Sequence, residues 1–357
     1  MSAPAQAWLE RHAEALDIGE PEPALQLLPW LGAQGLLRIG VPGPLGGDGG
    51  TLGDAVQAIA GVARASLTAA FVFWAQRAFI EYLLHSPNEG LRERRLGALL
   101  EGRRAGATGL SNAMKFLSGI ERLGVRARDG DAPWRLDGAL PWATNLAPAG
   151  FDIALAVDRG EGLPPAVVAL PSERAGLLRS ADLDLIALRG SHTASLRLDG
   201  VEADASDLIH PVAGQYLPRV RPAFLSLQCG LSLGLAQEAL ARAAERLGPA
   251  RAVLAQPLDE AGTALQQHRD ALLQGLADGR FAAQPAALFR LRIALAQDVQ
   301  QALQLELLAS GGRAYHRDPS LGFARRWREA AFIPIVTPSI SQLQGELARQ
   351  AQAQAAA

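Results

Sequence analysis

What most constrains the fold of this chain is a change of hydrophobic period, made twice. Residues 1–105 repeat their apolar positions at helical spacing, residues 106–212 alternate with a period of two, and residues 213–357 return to the helical period. That order predicts a mostly α protein with a central β-domain: an N-terminal helical domain over 1–105, a β-barrel or sandwich over 106–212, and a C-terminal four-helix bundle. With 49% hydrophobic residues over 357 positions, the chain can bury the cores such a layout requires.

In the first segment, apolar residues at helical spacing over 25–37 predict a helix, broken by Gly40-Val41-Pro42. Thr51 is positioned to cap the next helix. Residues 66–84 are strongly apolar, yet Trp74, Gln76, Arg77 and Glu81 interrupt them, which predicts a buried helix and not a membrane span. A further helix covers 89–100. The loop Gly46-Gly47-Asp48-Gly49-Gly50 follows no strand and lacks a phosphate-binding lysine, so it reads as structural.

The β-segment opens with 106–145. Val125–Arg128 and Trp134–Leu136 alternate as strands, with turns expected at Asp129-Gly130-Asp131 and at Asp137-Gly138. The hairpin leads into Trp142-Ala143-Thr144-Asn145, a Trp face and a hydroxyl able to meet a flat ligand with polar edges. Further strands are expected at 151–157, 166–170 and 194–198, the last ending at Asp199-Gly200. His192 reads as a surface histidine at a strand end. In the last segment, helices are expected over 222–247, 258–278 and 284–310. The small-residue run 228–234 allows close helix contact, and the Ala/Gln tail from Gln350 is expected to fray.

Trp134-Arg135-Leu136-Asp137-Gly138 with Trp142-Ala143-Thr144-Asn145 resembles the "dG..W.l.G.k.W.Tn" segment of the acyl-CoA dehydrogenase superfamily. Other stretches resemble that family in the same order. Val41-Pro42 with Gly46-Gly47-Asp48-Gly49 matches "P...GG.G", and Arg189-Gly190-Ser191-His192-Thr193 matches "RgS.t". Gly311-Gly312-Arg313-Ala314-Tyr315 matches "GG.GY", and Arg325–Ala330 matches "eR..RDa". The resemblance implies a flavoprotein oxidoreductase acting on an acyl thioester, assembled as a homodimer or homotetramer. FAD is the implied cofactor, with FMN or reduced flavin as alternatives. It places Trp142 beside the flavin ring and Thr144 at its N5 and O4 edge. An extended Gly109–Asn112 backbone, with Leu110 and Ser111, meets the pyrimidine edge. Ser118 stands nearest the pyrophosphate, Gly311 and Gly312 lie near the ADP half, and Ser339 hydrogen-bonds the flavin. Trp74 and Gln76 fall on the helix that lines the acyl pocket.

The chain departs from the family where the chemistry is done. The catalytic Glu, which removes the α-proton of the thioester, falls on Thr337, and the alternative base position falls on Phe224. The catalytic residue is therefore unknown. Leu308 replaces a Gln that helps hold the ADP half, and Arg251–Leu258 only partly keeps its arginine-loop motif. A flavin monooxygenase of the same fold and a non-catalytic scaffold paralogue are the alternative readings. Arg221, Arg325, Arg326 and Arg328 read either as phosphate contacts or as ion-paired helix arginines.

Composition excludes other classes. The net charge of −2 gives no footprint for nucleic acid. Cys229 is the one cysteine and the six histidines are scattered, so neither a disulfide framework nor a metal site is expected. No apolar run reaches membrane-spanning length, and no signal-type N-terminus is read, which points to a cytoplasmic protein.

Overall fold

The computed structural model describes residues 1–356 except 129–131, 161 and 317. The turn expected at Asp129-Gly130-Asp131 lies outside the described residues. Five helices come first: α1 (Ala3–Ile18), α2 (Pro21–Ala33), α3 (Leu52–Ala65), α4 (Leu67–Leu84) and α5 (Glu89–Leu100). Thr51 caps α3 in a capping box with Asp54, the Thr51 hydroxyl accepting from the Asp54 N–H and the Asp54 carboxylate accepting from the Thr51 N–H. Helix α4 is apolar on every face and is buried from Leu67 to Leu83, Arg77 and Glu81 included. Those two residues pair with each other at 2.7 Å.

Next come β1 (Ala105–Thr108), a short α6 (Ser111–Leu117), and β2 (Val125–Ala127), β3 (Trp134–Ala143), β4 (Phe151–Val157), β5 (Ala166–Pro171), β6 (Leu177–Asp182), β7 (Ala194–Ala203) and β8 (Leu208–His210). They form two four-stranded sheets, ordered β1-β4-β5-β8 and β2-β3-β7-β6. Strand β4, buried at every residue, pairs parallel to β1 and antiparallel to β5.

Asp137-Gly138 and Asp199-Gly200 do not turn the chain: β3 and β7 run straight through them. The pairing steps from Leu136↔Val201 to Gly138↔Leu198, so two residues of β7 oppose one of β3. This is a β-bulge, with Gly200 at φ +63° taking the left-handed conformation it requires. The Asp137 carboxylate accepts from the Gly200 N–H at 2.9 Å and fixes the bulge.

The last third holds α7 (Ala213–Glu245), α8 (Ala255–Ala277), a single turn α9 (Arg280–Ala283), α10 (Pro285–Ser310), α11 (Phe323–Ala330) and α12 (Ile340–Ala356). Helix α7 begins nine residues before the expected start and passes through Pro218 and Pro222. Burial of Tyr216, Leu217 and Val220 offsets the backbone hydrogen bonds those prolines forgo. Helix α12 carries the tail, expected to fray, as helix to Ala356. One hydrophobic cluster runs from Leu9 through both sheets to Leu343. Among the described residues, no helix is long and apolar enough to cross a membrane.

Candidate functional site

Strands β1 and β3 end side by side, and Thr108 bridges to Thr144 there. Opposite that meeting point lies the loop between α11 and α12. A cavity of about 440 Å³ opens between them, a size suited to a small organic ligand. Phe71 and Trp74 of α4 form its buried floor, with rings nearly parallel at 5.4 Å. Leu140 and Trp142 of β3, with Thr144 just after it, form one wall, and Ile335, Val336 and Thr337 the other. Ser111, Asn112 and Lys115 of α6, with Glu121 and Arg122 after it, form the mouth.

The floor is locked from behind. The Trp74 indole N–H donates to the Phe224 carbonyl at 3.3 Å, so the ring's one polar atom is satisfied away from the cavity. Phe224 packs 5.1 Å from Trp74, and Phe332 meets Phe71 edge-on at 4.7 Å. The far wall is held by its backbone. Gln228 donates to the Thr337 carbonyl at 2.7 Å, and Arg292, fully buried, donates to the Ile333 carbonyl at 2.6 Å. At the mouth, Asn112 clasps the following loop, donating to the Arg122 carbonyl and accepting from the Gly124 N–H. Lys115, the chain's one lysine, pairs with Glu121 at 3.0 Å.

The cavity brings together Trp142, Thr144, Ser111, Trp74 and Thr337. Trp142 is 44% exposed and presents its indole to the cavity. The Thr144 hydroxyl hydrogen-bonds the Thr193 hydroxyl at 3.1 Å, which in turn bonds the Ser191 hydroxyl at 2.8 Å. Leu110 is fully buried and turns the chain into α6, so the stretch expected to be extended is instead the start of a helix. Its sequence explains this: Ser111, Ala113, Met114 and Lys115 suit a helix, and no β-branched residue opposes it.

Other expected site residues stand elsewhere. The Ser118 hydroxyl donates to Glu346 at 2.5 Å. Ser339 accepts from the Gln342 N–H and caps α12. Gly311 and Gly312 end α10 beside Arg251 and do not line the cavity. Gln76 ties α4 to β1, accepting from the Gly106 N–H at 2.6 Å and from Asn145 at 2.9 Å. Phe224 is buried behind Trp74. The four arginines are ion-paired: Arg221 with Glu346, Arg325 with Glu329, Arg326 with Glu306, and Arg328 with Glu14 and Asp17. His192 is buried, not superficial, with φ +51° and its Nδ1 3.2 Å from Asp182. Sequence reasoning missed Phe71, Thr108, Lys115 and Arg122 as cavity residues. Thr108 adjoins the 109–112 stretch and Lys115 is the chain's one lysine, while no local pattern marks Phe71 or Arg122.

The residues present fit a flat aromatic ligand. A tryptophan face, two wall hydroxyls and an aromatic floor suit a ring system with polar edges, and the cavity accommodates the ring portion of a flavin. Among the described residues, those expected for the adenosine half, Gly311 and Gly312, do not line it.

No family model matches the sequence. A probable acyl-CoA dehydrogenase of Bacillus subtilis is 28% identical over 239 residues, covering 64% of this chain and 61% of that protein. A tryptophan synthase alpha chain of Gluconobacter oxydans is 31% identical over 175 residues, 44% of this chain and 62% of that one. The chain thus spans about three-fifths of the length of these curated relatives. Solved structures side with the first. Butyryl-CoA dehydrogenase of Megasphaera elsdenii superposes with a TM-score of 0.77 at 18% identity, over 96% of this chain and 97% of that one. KijD3 in complex with FMN and a dTDP-linked keto sugar gives 0.80 at 20% identity, over 98% and 92%. The dibenzothiophene monooxygenase of Paenibacillus sp. A11-2 gives 0.73 at 18%, over 96% and 92%. At these identities the likeness is one of architecture. The fold of this chain is that of the acyl-CoA dehydrogenases.

Proposed function

We propose that the protein is a flavin-dependent oxidoreductase whose flavin ring lies in the cavity between β3 and the 331–337 loop. The observation that carries this reading is the convergence of Trp142 and Thr144, at the end of β3, with Ser111 of α6 on one cavity. A flavin held there would supply hydride-accepting chemistry or, in its reduced form, oxygen activation. Trp142 covers a ring face, the Thr144 hydroxyl hydrogen-bonds the ring edge, and Ile335 and Val336 exclude water. The absorbance spectrum of the purified protein tests the reading, with the released flavin identified as FAD or FMN. A protein that takes up neither on reconstitution overturns it.

The relatives favour oxidation of an acyl thioester, which requires a carboxylate near the α-carbon. Among the described residues, Glu121 is the only carboxylate lining the cavity. It sits exposed at the mouth, paired with Lys115. That observation favours the second reading, a monooxygenase that uses reduced flavin and oxygen and needs no such base. Acyl-CoA oxidation with an artificial acceptor and oxygen uptake with reduced flavin separate the two on one preparation. Silence in both, with flavin bound, leaves the scaffold reading.

A further inference from the structure

Thr108 lines the cavity beside Thr144, and the resemblance assigned it no role. Its hydroxyl has one described partner, the Tyr82 phenol at 2.9 Å. Tyr82 projects from α4 and is fully buried. Its backbone carbonyl accepts the Tyr216 hydroxyl at 2.6 Å, but among the described residues its own phenol oxygen meets Thr108 alone. Burial pushes the phenol pKa upward, so Tyr82 keeps its proton.

Direction follows from that isolation. A buried phenol with a single partner leaves its proton unsatisfied unless it donates to that partner. Were Thr108 to donate instead, the Tyr82 proton would face apolar neighbours such as Phe79 and Phe224, whose rings lie 6.4 and 6.5 Å away. Tyr82 therefore donates and Thr108 accepts. The Thr108 proton is then without a described partner in the protein, at a residue that lines the cavity.

We propose that Thr108 contacts the ligand as a hydrogen-bond donor, and that Tyr82 is the positioning residue that turns its proton into the cavity. The ligand atom opposite is an acceptor, a carbonyl oxygen or an unprotonated ring nitrogen. Only the naming of that ligand as a flavin rests on the reading above. The pairing also gives the two wall hydroxyls separate supports, Tyr82 behind Thr108 and Thr193 behind Thr144.

The test uses the full chain, with FMN and FAD each tried for reconstitution. Thr108→Val keeps the side-chain shape and removes the hydroxyl. It is expected to weaken flavin binding about three- to tenfold, with Thr108→Ser restoring it. Tyr82→Phe frees Thr108 to rotate and is expected to weaken binding by less. The double variant Tyr82→Phe/Thr108→Val is expected to bind no worse than Thr108→Val alone. Wild-type affinity in Thr108→Val, or additive losses in the double variant, overturns the proposal. A second measurement needs no flavin. A phenol that loses its acceptor absorbs at shorter wavelength, so Thr108→Val minus wild type should give a blue-shifted tyrosine difference spectrum that vanishes in the Tyr82→Phe background. Its absence overturns the proposal, even if flavin uptake fails and the flavin reading falls with it.

Discussion

Trp142 is the residue at which cofactor binding is most directly read. Its side chain lines the cavity and is 44% exposed, so removing it is expected to cost a ligand more than it costs the fold. Trp142→Ala is expected to lower flavin occupancy and shift the flavin spectrum, with thermal stability nearly unchanged. Thr337 is the converse case, a side chain in the right place with no ionisable group. It lines the cavity, and its carbonyl is pinned by Gln228. Thr337→Glu is expected to create or raise acyl-CoA dehydrogenation, since a well-placed base contributes about 10²–10⁴-fold. An unchanged rate in a flavin-loaded variant would count against the acyl-thioester reading.

At the scale of elements, two contacts hold the helices around the site. Helices α3 and α7 approach closely at Gly230 and Gly234. A Cβ at Gly234 would stand 2.1 Å from the Ala60 carbonyl oxygen, which is backbone and cannot yield cheaply. Gly234→Ala is expected to lose about 1–3 kcal/mol by overpacking. Gly262→Ala in α8, where a Cβ meets nothing within 4 Å, should gain up to about 1 kcal/mol from helix propensity. Urea unfolding of the two variants checks both signs. The second contact is Glu329 of α11, fully buried. It accepts from the Leu67 and Thr68 N–H groups at the start of α4 and from Arg325 at 2.8 Å. Desolvation pushes its carboxyl up to about 7, against the pull of Arg325 and the Thr68 N–H. From the ordinary value of 4.5 up to about 7, the folded protein binds more protons than the unfolded chain. This contribution is therefore fully present below 4.5 and lost as pH rises through about 7. The thermal midpoint is expected to fall from about pH 5 to about pH 8, and Glu329→Gln should flatten that slope.

For the whole molecule, the open question is what covers the far end of α10. Tyr315 is 90% exposed and Val253 81%, with Leu308 and Trp327 also half-exposed. All four belong to the last third of the chain, at or near the ends of α8, α10 and α11. We expect a second copy to cover them, giving a dimer or a dimer of dimers. Light scattering at micromolar concentration checks this, and a monomer mass overturns it.

The sequence by itself determined the order of elements, because hydrophobic period is a local property: the switch from helix to strand and back needs no tertiary information. It also marked Trp142, Thr144, Ser111 and Thr337, through a resemblance that follows chain order. Tertiary structure decided what those residues face. Asp137-Gly138 and Asp199-Gly200 look like turns one strand at a time. They become a bulge only because β3 and β7 pair, and pairing is set between strands some 60 residues apart. The same holds for Arg326 and Arg328 of α11, whose partners Glu306, Glu14 and Asp17 lie on other helices. It holds equally for Thr108, whose proton is aimed by a tyrosine 26 residues earlier. A side chain's partners are fixed by packing across elements, and no local pattern in the chain encodes that.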